Sequence, residues 1–271
     1  MVAPSGEQHE IVAGGYRAVV TECGASLRLL EYDGHPLVLG WDEGEQTSAG
    51  RGQLLAPWPN RIRDGRYTYQ GRELQLPLSE PALGNASHGL VRWAPWTMQE
   101  GTEHEVSLAH RLMSQPGYPW TLDLSVRYDE DATEGLTVTF TATNLSGSAA
   151  PYALGAHPYL TTGSGPVDEW ELTVPARTRL RVDDQLIPVG RDDVAGTELD
   201  FRRARPSGRR AWTPRSPSWT GTRAIVPRWW SATPGPGAGW SCGWTPDIAG
   251  CRCSPATACR STHGRPWPSS R

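Results

Sequence analysis

The sequence of 271 residues contains no lysine, so all 26 of its basic residues are arginine. Acidic residues nearly balance them, and the formal net charge of −3 argues against nucleic acid or an anionic membrane surface as a partner. No apolar run approaches the roughly 20 residues that a membrane-spanning helix needs. The segment MVAPSGEQHE has neither the basic stretch nor the apolar core of a secretory signal, so we expect a cytoplasmic protein.

A second set of absences begins at Ser207. From there to Arg271 the chain has no Leu, Phe, Tyr, Met or Glu, and Asp247 is the only acidic residue. The same segment holds seven of the 13 tryptophans, four of the five cysteines and nine prolines. Without leucine and with so many prolines, it is a poor candidate for regular helix or sheet. We therefore divide the chain into one domain, residues 1–206, and an aberrant tail of low order, residues 207–271.

Short alternating segments dominate the first 206 residues. Alternation of apolar and polar residues at period two is typical of antiparallel strands with one buried face. The segment RYTYQGRELQL predicts a hairpin that turns at Gln70 and Gly71. No segment has the period of an amphipathic helix, so we predict an all-β fold, a large antiparallel β-sandwich. Two segments show the alternation clearly, and the residues that share a face are Leu122, Leu124 and Val126 in the first and Leu136, Val138, Phe140 and Ala142 in the second.

Three short polar motifs stand out between the strand-like segments. APWPNRIRDGRY contains Asn60 and Arg61, GNASHGLVRW contains His88, and GAHPYL contains His157 and Tyr159. Each motif is ambiguous alone. A histidine beside a glycine is more often structural than catalytic, an arginine in a loop is usually solvated, and Asn-Arg also fits a turn. The order and separation of the three motifs carry more information than any one of them.

In these motifs the chain resembles the aldose 1-epimerase (galactose mutarotase) family, whose members show Asn-Arg-Ile, then His-Gly, then His-Pro-Tyr. The segments RYTYQGRELQLP and LTVPARTRLRVDDQLIPVG also resemble the family, and the resemblance covers about residues 8–206. It implies a single large β-sandwich with an open cleft that takes a small sugar. It also implies that the protein needs no metal and no organic cofactor.

The resemblance assigns roles to the motif residues. Arg61, helped by Asn60, would hold sugar hydroxyls, and Tyr159 would line the binding site. His88 would contact the substrate near the ring oxygen, and His157 would be the general acid, so these two histidines are the catalytic candidates. The chemistry suits these residue types, because exchanging anomers needs a proton removed from the C1 hydroxyl and another placed on the ring oxygen. An imidazole titrates near ~6.5 and exchanges protons at neutral pH.

The family's general base is absent from this sequence. It is a glutamate near the C-terminus in a segment like Val-Glu-Pro, accompanied by an aspartate in Leu-Asp-x-Ala-Phe and by a glutamine in a preceding strand. The tail that stands in their place is interpreted as a disordered basic arm, a small cysteine module or an out-of-frame translation of G/C-rich DNA. The many tryptophans argue against a disordered arm. The spacing Cys251-Arg252-Cys253 is wrong for a zinc knuckle.

The out-of-frame interpretation restores the missing residues. We assign each residue of the tail a codon that ends in G or C where the code allows. The resulting DNA is then translated from the third base of each codon. The aspartate then falls over Trp212-Thr213, the glutamine over Cys251-Arg252 and the glutamate over Ser269-Ser270. We therefore expect a frame error near codons 205–210. It would leave final strands missing or disordered, sheet edges that favour aggregation, and impaired mutarotation.

The leading hypothesis is a family protein that interconverts the α and β anomers of a free hexose such as galactose. A hexose-6-phosphate 1-epimerase relative is a second hypothesis, and it would need extra arginines near the cleft, for which Arg63, Arg66 and Arg92 are candidates. A non-catalytic carbohydrate-binding protein on the same fold is a third, and an unrelated β-sandwich interaction protein is a fourth. The sequence indicates neither the preferred sugar nor the oligomeric state.

Overall fold

The computed structural model describes residues 2–208, together with the backbone of four short strands further along the chain. The two short 3-10 helices are Pro81–Leu83 and Val167–Glu169. Up to residue 206 the strands are β1 (Gln8–Ala13), β2 (Tyr16–Thr21), β3 (Leu27–Tyr32), β4 (His35–Pro36), β5 (Leu54–Leu55), β6 (Arg61–Arg63), β7 (Arg66–Tyr69), β8 (Arg72–Gln75), β9 (Asn85–Ser87), β10 (Thr97–Gly101), β11 (Glu105–Leu112), β12 (Leu122–Asp131), β13 (Gly135–Asn144), β14 (Ala150–Pro151), β15 (Gly155–Ala156), β16 (Glu171–Thr173), β17 (Thr178–Val182), β18 (Pro188–Asp193) and β19 (Arg205–Pro206). The four further strands are β20 (Trp230–Thr233), β21 (Trp240–Cys242), β22 (Arg252–Cys253) and β23 (Ala258–Cys259).

Two antiparallel sheets form the body of the sandwich. One has the strand order β1-β2-β3-β4, and the other has the order β10-β11-β12-β13-β23. Their inner faces share one hydrophobic core, in which Ile11 and Val20 of the first sheet lie with Leu108, Leu124 and other residues of the second. The predicted all-β class and the predicted antiparallel sandwich are confirmed. Burying apolar side chains between two such faces is the main stabilising contribution in a fold of this kind.

The alternation in β12 predicts its buried face correctly. Leu122, Leu124 and Val126 are each at most 1% exposed. On the paired strand β13 the outcome is mixed, because Ala142 is buried whereas Val138 remains 44% exposed. The sequence pattern therefore identifies residues that share a face, but the face of β13 is covered only in part.

The predicted hairpin is confirmed. Strands β7 and β8 pair in antiparallel register, with Tyr69 opposite Arg72. The turn residues Gln70 and Gly71 have φ angles of 49° and 76°. Two successive positive φ values are the mark of a type I′ turn, whose twist matches that of the flanking strands.

The predictions about the tail fall mainly outside the described residues. The backbone pairings that are described join β22 to β14, β23 to β13, β20 to β16, and β21 to β20. Where the structure describes the outer side of β13, that strand pairs only through Ala142 and Thr143. The domain boundary at residue 206 and the tendency to aggregate remain predictions. Among the described residues, no helix is long and apolar enough to cross a lipid bilayer.

One charged side chain lies inside the sandwich. The period of β12 that buries Leu124 and Val126 also turns Glu130 inward, where the residue is only 2% exposed. Neither carboxylate oxygen of Glu130 has a hydrogen-bond partner among the described residues. Burial penalises the charged form and raises the pKa of Glu130 to about 7.

The raised pKa of Glu130 predicts a pH-dependent stability. Between the ordinary pKa of 4.5 and about 7, the folded state holds a proton that the unfolded state has released. The stabilisation is therefore complete below pH 4.5 and is lost as the pH rises through 7, at up to about 1.4 kcal/mol per pH unit. Urea unfolding between pH 4.5 and 8 should show this slope in the unmodified chain, and Glu130→Gln should remove it. Glu100→Gln, at an exposed position, should keep it. An unchanged slope in Glu130→Gln would contradict the assignment.

Candidate functional site

A short strand pair brings the first two polar motifs together. Strand β6 pairs with β9 so that Arg61 lies opposite Ser87, and Asn60 and His88 therefore meet at the same end of the pair. Asn60 and His88 both have a φ of 61°, in the left-handed region. Asparagine and histidine enter this region more readily than most residues, which suits them to this irregular junction.

Two hydrogen bonds join Asn60 to His88. The backbone N–H of His88 donates to the carbonyl oxygen of Asn60 at 2.8 Å. The backbone N–H of Asn60 donates to Nδ1 of the His88 ring at 3.0 Å. Because Nδ1 accepts this bond, the neutral ring must carry its proton on Nε2. His88 is thus fixed as a single-donor imidazole.

The third motif reaches the same region through another strand pair. Strand β15 pairs with β5, so that Ala156 lies opposite Leu54. Beyond this pair, the N–H of His157 donates to the carbonyl oxygen of Gln53 at 3.0 Å, and the N–H of Gly52 donates to the carbonyl oxygen of His157 at 2.9 Å. The backbone of His157 is therefore fixed on both sides.

The rings of the two histidines contact each other. The ring centroids of His88 and His157 are 5.6 Å apart, with the planes nearly perpendicular at 88°. Tyr159 stacks on His157 at 5.4 Å, and its hydroxyl donates to the carbonyl oxygen of Ala49 at 3.2 Å. The structure thus gathers the five residues that the sequence singles out, and we call them the polar site: Asn60, Arg61, His88, His157 and Tyr159.

Glu80 is part of this region, although no motif in the sequence pointed to it. Its carboxylate accepts hydrogen bonds from Nε and Nη2 of Arg61, at 2.6 and 2.8 Å. Burial alone would raise the pKa of Glu80, but the hydrogen bonds and charge of Arg61 outweigh it, so the pKa lies below its ordinary value. This two-point contact fixes the plane of the guanidinium. Nη1 of Arg61 lies 3.4 Å from the side-chain oxygen of Asn60.

Two more polar side chains adjoin the polar site. Nη2 of Arg92 lies 3.4 Å from the carbonyl oxygen of Ser87, the residue before His88. The amide of Gln53 donates to the carbonyl oxygen of Arg92 at 3.1 Å, and the side-chain oxygen of Gln53 has no partner among the described residues. The sequence indicated Arg92 only as a candidate for phosphate binding, and it did not indicate Gln53.

The electrostatic environment disfavours the charged form of both histidines. Burial, joined by the charges of Arg92, His157 and Arg61, lowers the pKa of His88 to about 3. Burial, with the charges of Arg92 and Arg61, lowers the pKa of His157 as well. Within residues 2–208, no carboxylate raises the pKa of His157 or forms an ion pair with it. In the same part of the chain, no three His, Cys, Asp or Glu side chains are placed so that they could hold a metal ion.

The chain matches a family of known proteins over most of its length. The family model for aldose 1-epimerase matches residues 7–216. The protein YihR of Escherichia coli (strain K12) is 38% identical over 201 residues, which are 74% of this chain and 65% of that protein. The galactose mutarotase of Rattus norvegicus is 32% identical over 181 residues, which are 62% of this chain and 50% of that enzyme.

A solved structure shares the fold. The structure of the GalM/aldose epimerase homologue from C. elegans superimposes with a TM-score of 0.67 and 26% sequence identity, over 74% of this chain and 65% of that one. The match thus spans about half to two thirds of the length of these relatives. The family match ends ten residues beyond the last residue of β19, close to the change in composition.

Proposed function

Because the chain belongs to the aldose 1-epimerase family, we propose that it is built to interconvert the α and β anomers of a free aldose at the polar site. The observation that carries this proposal is the convergence of three separated motifs on one pair of contacting histidine rings. The rat relative is named a galactose mutarotase, and a hexose is the substrate class we assign.

Arg61 is suited to hold sugar hydroxyls. Its Nε and one hydrogen of Nη2 are held by Glu80, and one hydrogen of Nη1 faces Asn60. A guanidinium has five N–H donors, so two remain for the ligand. An uncharged sugar offers no charge for an anchor, and several directed contacts of this kind must position it.

The two histidines take different roles. His88 stays neutral at physiological pH and presents its Nε2 proton, so it serves as a hydrogen-bond donor toward the ring oxygen. His157 delivers the proton to the ring oxygen when the ring opens, and a general base takes the proton of the C1 hydroxyl. C1 of the open form then rotates, and the ring closes on its other face with both proton transfers reversed.

The general base is the missing part. Within the described residues, Glu80 is occupied by Arg61, and no other carboxylate forms an ion pair with Arg61, His88 or His157. We attribute this gap to a shift of reading frame near codons 205–210, which replaces the family's glutamate with the sequence around Ser269 and Ser270. Resequencing the gene across these codons checks the attribution, and a read that agrees with the present sequence at every base would refute it.

Sugar binding tests the proposed function on the chain as it is. We expect calorimetry to detect binding of galactose or glucose, because the donors of Arg61 and His88 do not depend on the tail. Arg61→Gln should abolish the heat of binding, whereas Arg72→Gln, at an exposed position on the hairpin, should leave it unchanged. Binding without turnover would fit both a damaged epimerase and a carbohydrate-binding protein. Restoring the reading frame separates these two hypotheses, because only a damaged epimerase would regain turnover. If neither galactose nor glucose binds, the result would count against the proposal.

A further inference from the structure

Of the three arginines that the sequence offers for an anionic substrate, only Arg92 lies at the polar site. Arg63 is engaged by Asp183 and Gln185, and Arg66 donates to Gln75 at the surface. Arg92 follows His88 by four residues, and its guanidinium is hydrogen-bonded to the backbone just before His88.

The position of Arg92 is fixed by the core of the site. Its carbonyl oxygen accepts a hydrogen bond from the fully buried Gln53, whose own carbonyl oxygen holds the N–H of His157. The stretch that carries Arg92 is thereby tied to both histidine segments. The backbone hydrogen bonds therefore place Arg92 beside the polar site.

Arg92 forms no ion pair in the described part of the chain, and the charge of Glu80 acts on it only from beyond ion-pair distance. The carboxylate of Glu80 is held at two points by Arg61, and no carboxylate of residues 2–208 lies within ion-pair distance of Arg92. The guanidinium is half-buried, and burial lowers the pKa of Arg92. Its charge also contributes to the lowered pKa of both His88 and His157. Arg61, Arg92 and Glu80 together give this region a net positive charge.

A half-buried guanidinium that forms no ion pair with the described residues is unfavourable for an enzyme that binds only neutral sugars. Taking a guanidinium out of water without a counter-ion costs free energy, and positive charge beside His157 hinders its protonation. A ligand that carries an oxyanion supplies the missing partner, and the planar fork of arginine fits carboxylate and phosphate oxygens.

We propose that Arg92 makes the polar site selective for an aldose with an anionic group, a carboxylate or a phosphate, over the corresponding neutral sugar. This inference rests on the proposed function and narrows its substrate class. Arg61 and His88 hold the ring hydroxyls and the ring oxygen, and Arg92 binds the anionic group.

Calorimetry at low ionic strength with glucose, glucuronate and glucose 6-phosphate tests this selectivity on the unmodified chain. We expect at least one of the anionic sugars to bind at least about tenfold more tightly than glucose, as a charge-assisted hydrogen bond provides. Preference for glucuronate alone identifies a carboxylate, and preference for glucose 6-phosphate alone identifies a phosphate. Added salt should reduce the advantage.

Substitution assigns the effect to one side chain. Arg92→Gln should remove the advantage of the anionic sugars over glucose, whereas Arg66→Gln should preserve that advantage. Thermal unfolding of both variants verifies that they fold. The comparison among sugars is made on the unmodified chain, so it does not depend on the variants. If glucose binds as tightly as both anionic sugars, or the advantage survives in Arg92→Gln, this inference fails and the proposed function stands. If no sugar binds, both fail.

Discussion

Restoring the reading frame near codons 205–210 is expected to raise the rate of mutarotation by about 10²–10⁴-fold, the contribution of one well-placed acid or base. Under the frame-shift proposal, the restored frame would supply the glutamate that falls over Ser269 and Ser270, and this glutamate would be the proton acceptor that works with His157. A carboxylate there would also raise the pKa of His157, which burial and the charges of Arg92 and Arg61 now hold below its ordinary value.

Polarimetry on freshly dissolved α-D-galactose measures this effect, with glucose, glucuronate and glucose 6-phosphate assayed in parallel. The restored chain carrying His157→Gln is the matched control, and we expect it to return to the low rate of the present chain. Equal rates for the present and the restored chains would show that the tail contributes no base and would overturn the frame-shift proposal.

Gly89→Ala is expected to be the most destabilising small substitution near the polar site. Gly89 has a φ of 76°, and a Cβ atom there would lie 2.0 Å from the carbonyl oxygen and 2.4 Å from the carbonyl carbon of Ala56. These are backbone atoms of the core, and the same carbonyl accepts a hydrogen bond from Leu90 at 2.7 Å, so they cannot move without breaking other contacts. We expect a loss of about 4 kcal/mol or more in the free energy of unfolding.

Gly71→Ala is the matched control for this prediction. Gly71 has the same φ of 76° but nothing within 4 Å of the added Cβ, so only the backbone strain remains, at about 1–2 kcal/mol. Urea unfolding gives the loss in the free energy of unfolding for both variants, and the difference between the two losses is the steric contribution at Gly89. Because Gly89 follows His88, we also expect Gly89→Ala to weaken sugar binding and Gly71→Ala to preserve it. A similar loss of stability in the two variants would contradict the steric argument.

Local patterns in the sequence predicted the parts of this fold that depend on neighbours in the chain. Gln70 and Gly71 predicted a hairpin, because they form a two-residue turn that contains glycine and lies between two strand-like segments. Leu122, Leu124 and Val126 predicted a buried face, because period two fixes the direction of each side chain. Val138 shows the limit of this reasoning, since alternation does not say whether a second layer covers the face.

The polar site was predictable in its motifs but not in its contacts. Asn60, His88 and His157 were found because three short motifs occur in a known order. Glu80 and Gln53 were missed because their roles arise from pairing between β6 and β9 and between β5 and β15, which no local pattern specifies. Arg92 could be named as a basic residue, but only the fold separates it from Arg63 and Arg66.

The two hydrogen bonds between Asn60 and His88 join residues that are both encoded in the first third of the gene. The groups assigned to gripping the ligand are encoded upstream of codon 93, while the proton acceptor is encoded far downstream. We therefore expect a lesion in the final quarter of the gene to impair turnover and spare recognition, so that its product would bind sugar with little interconversion of the anomers.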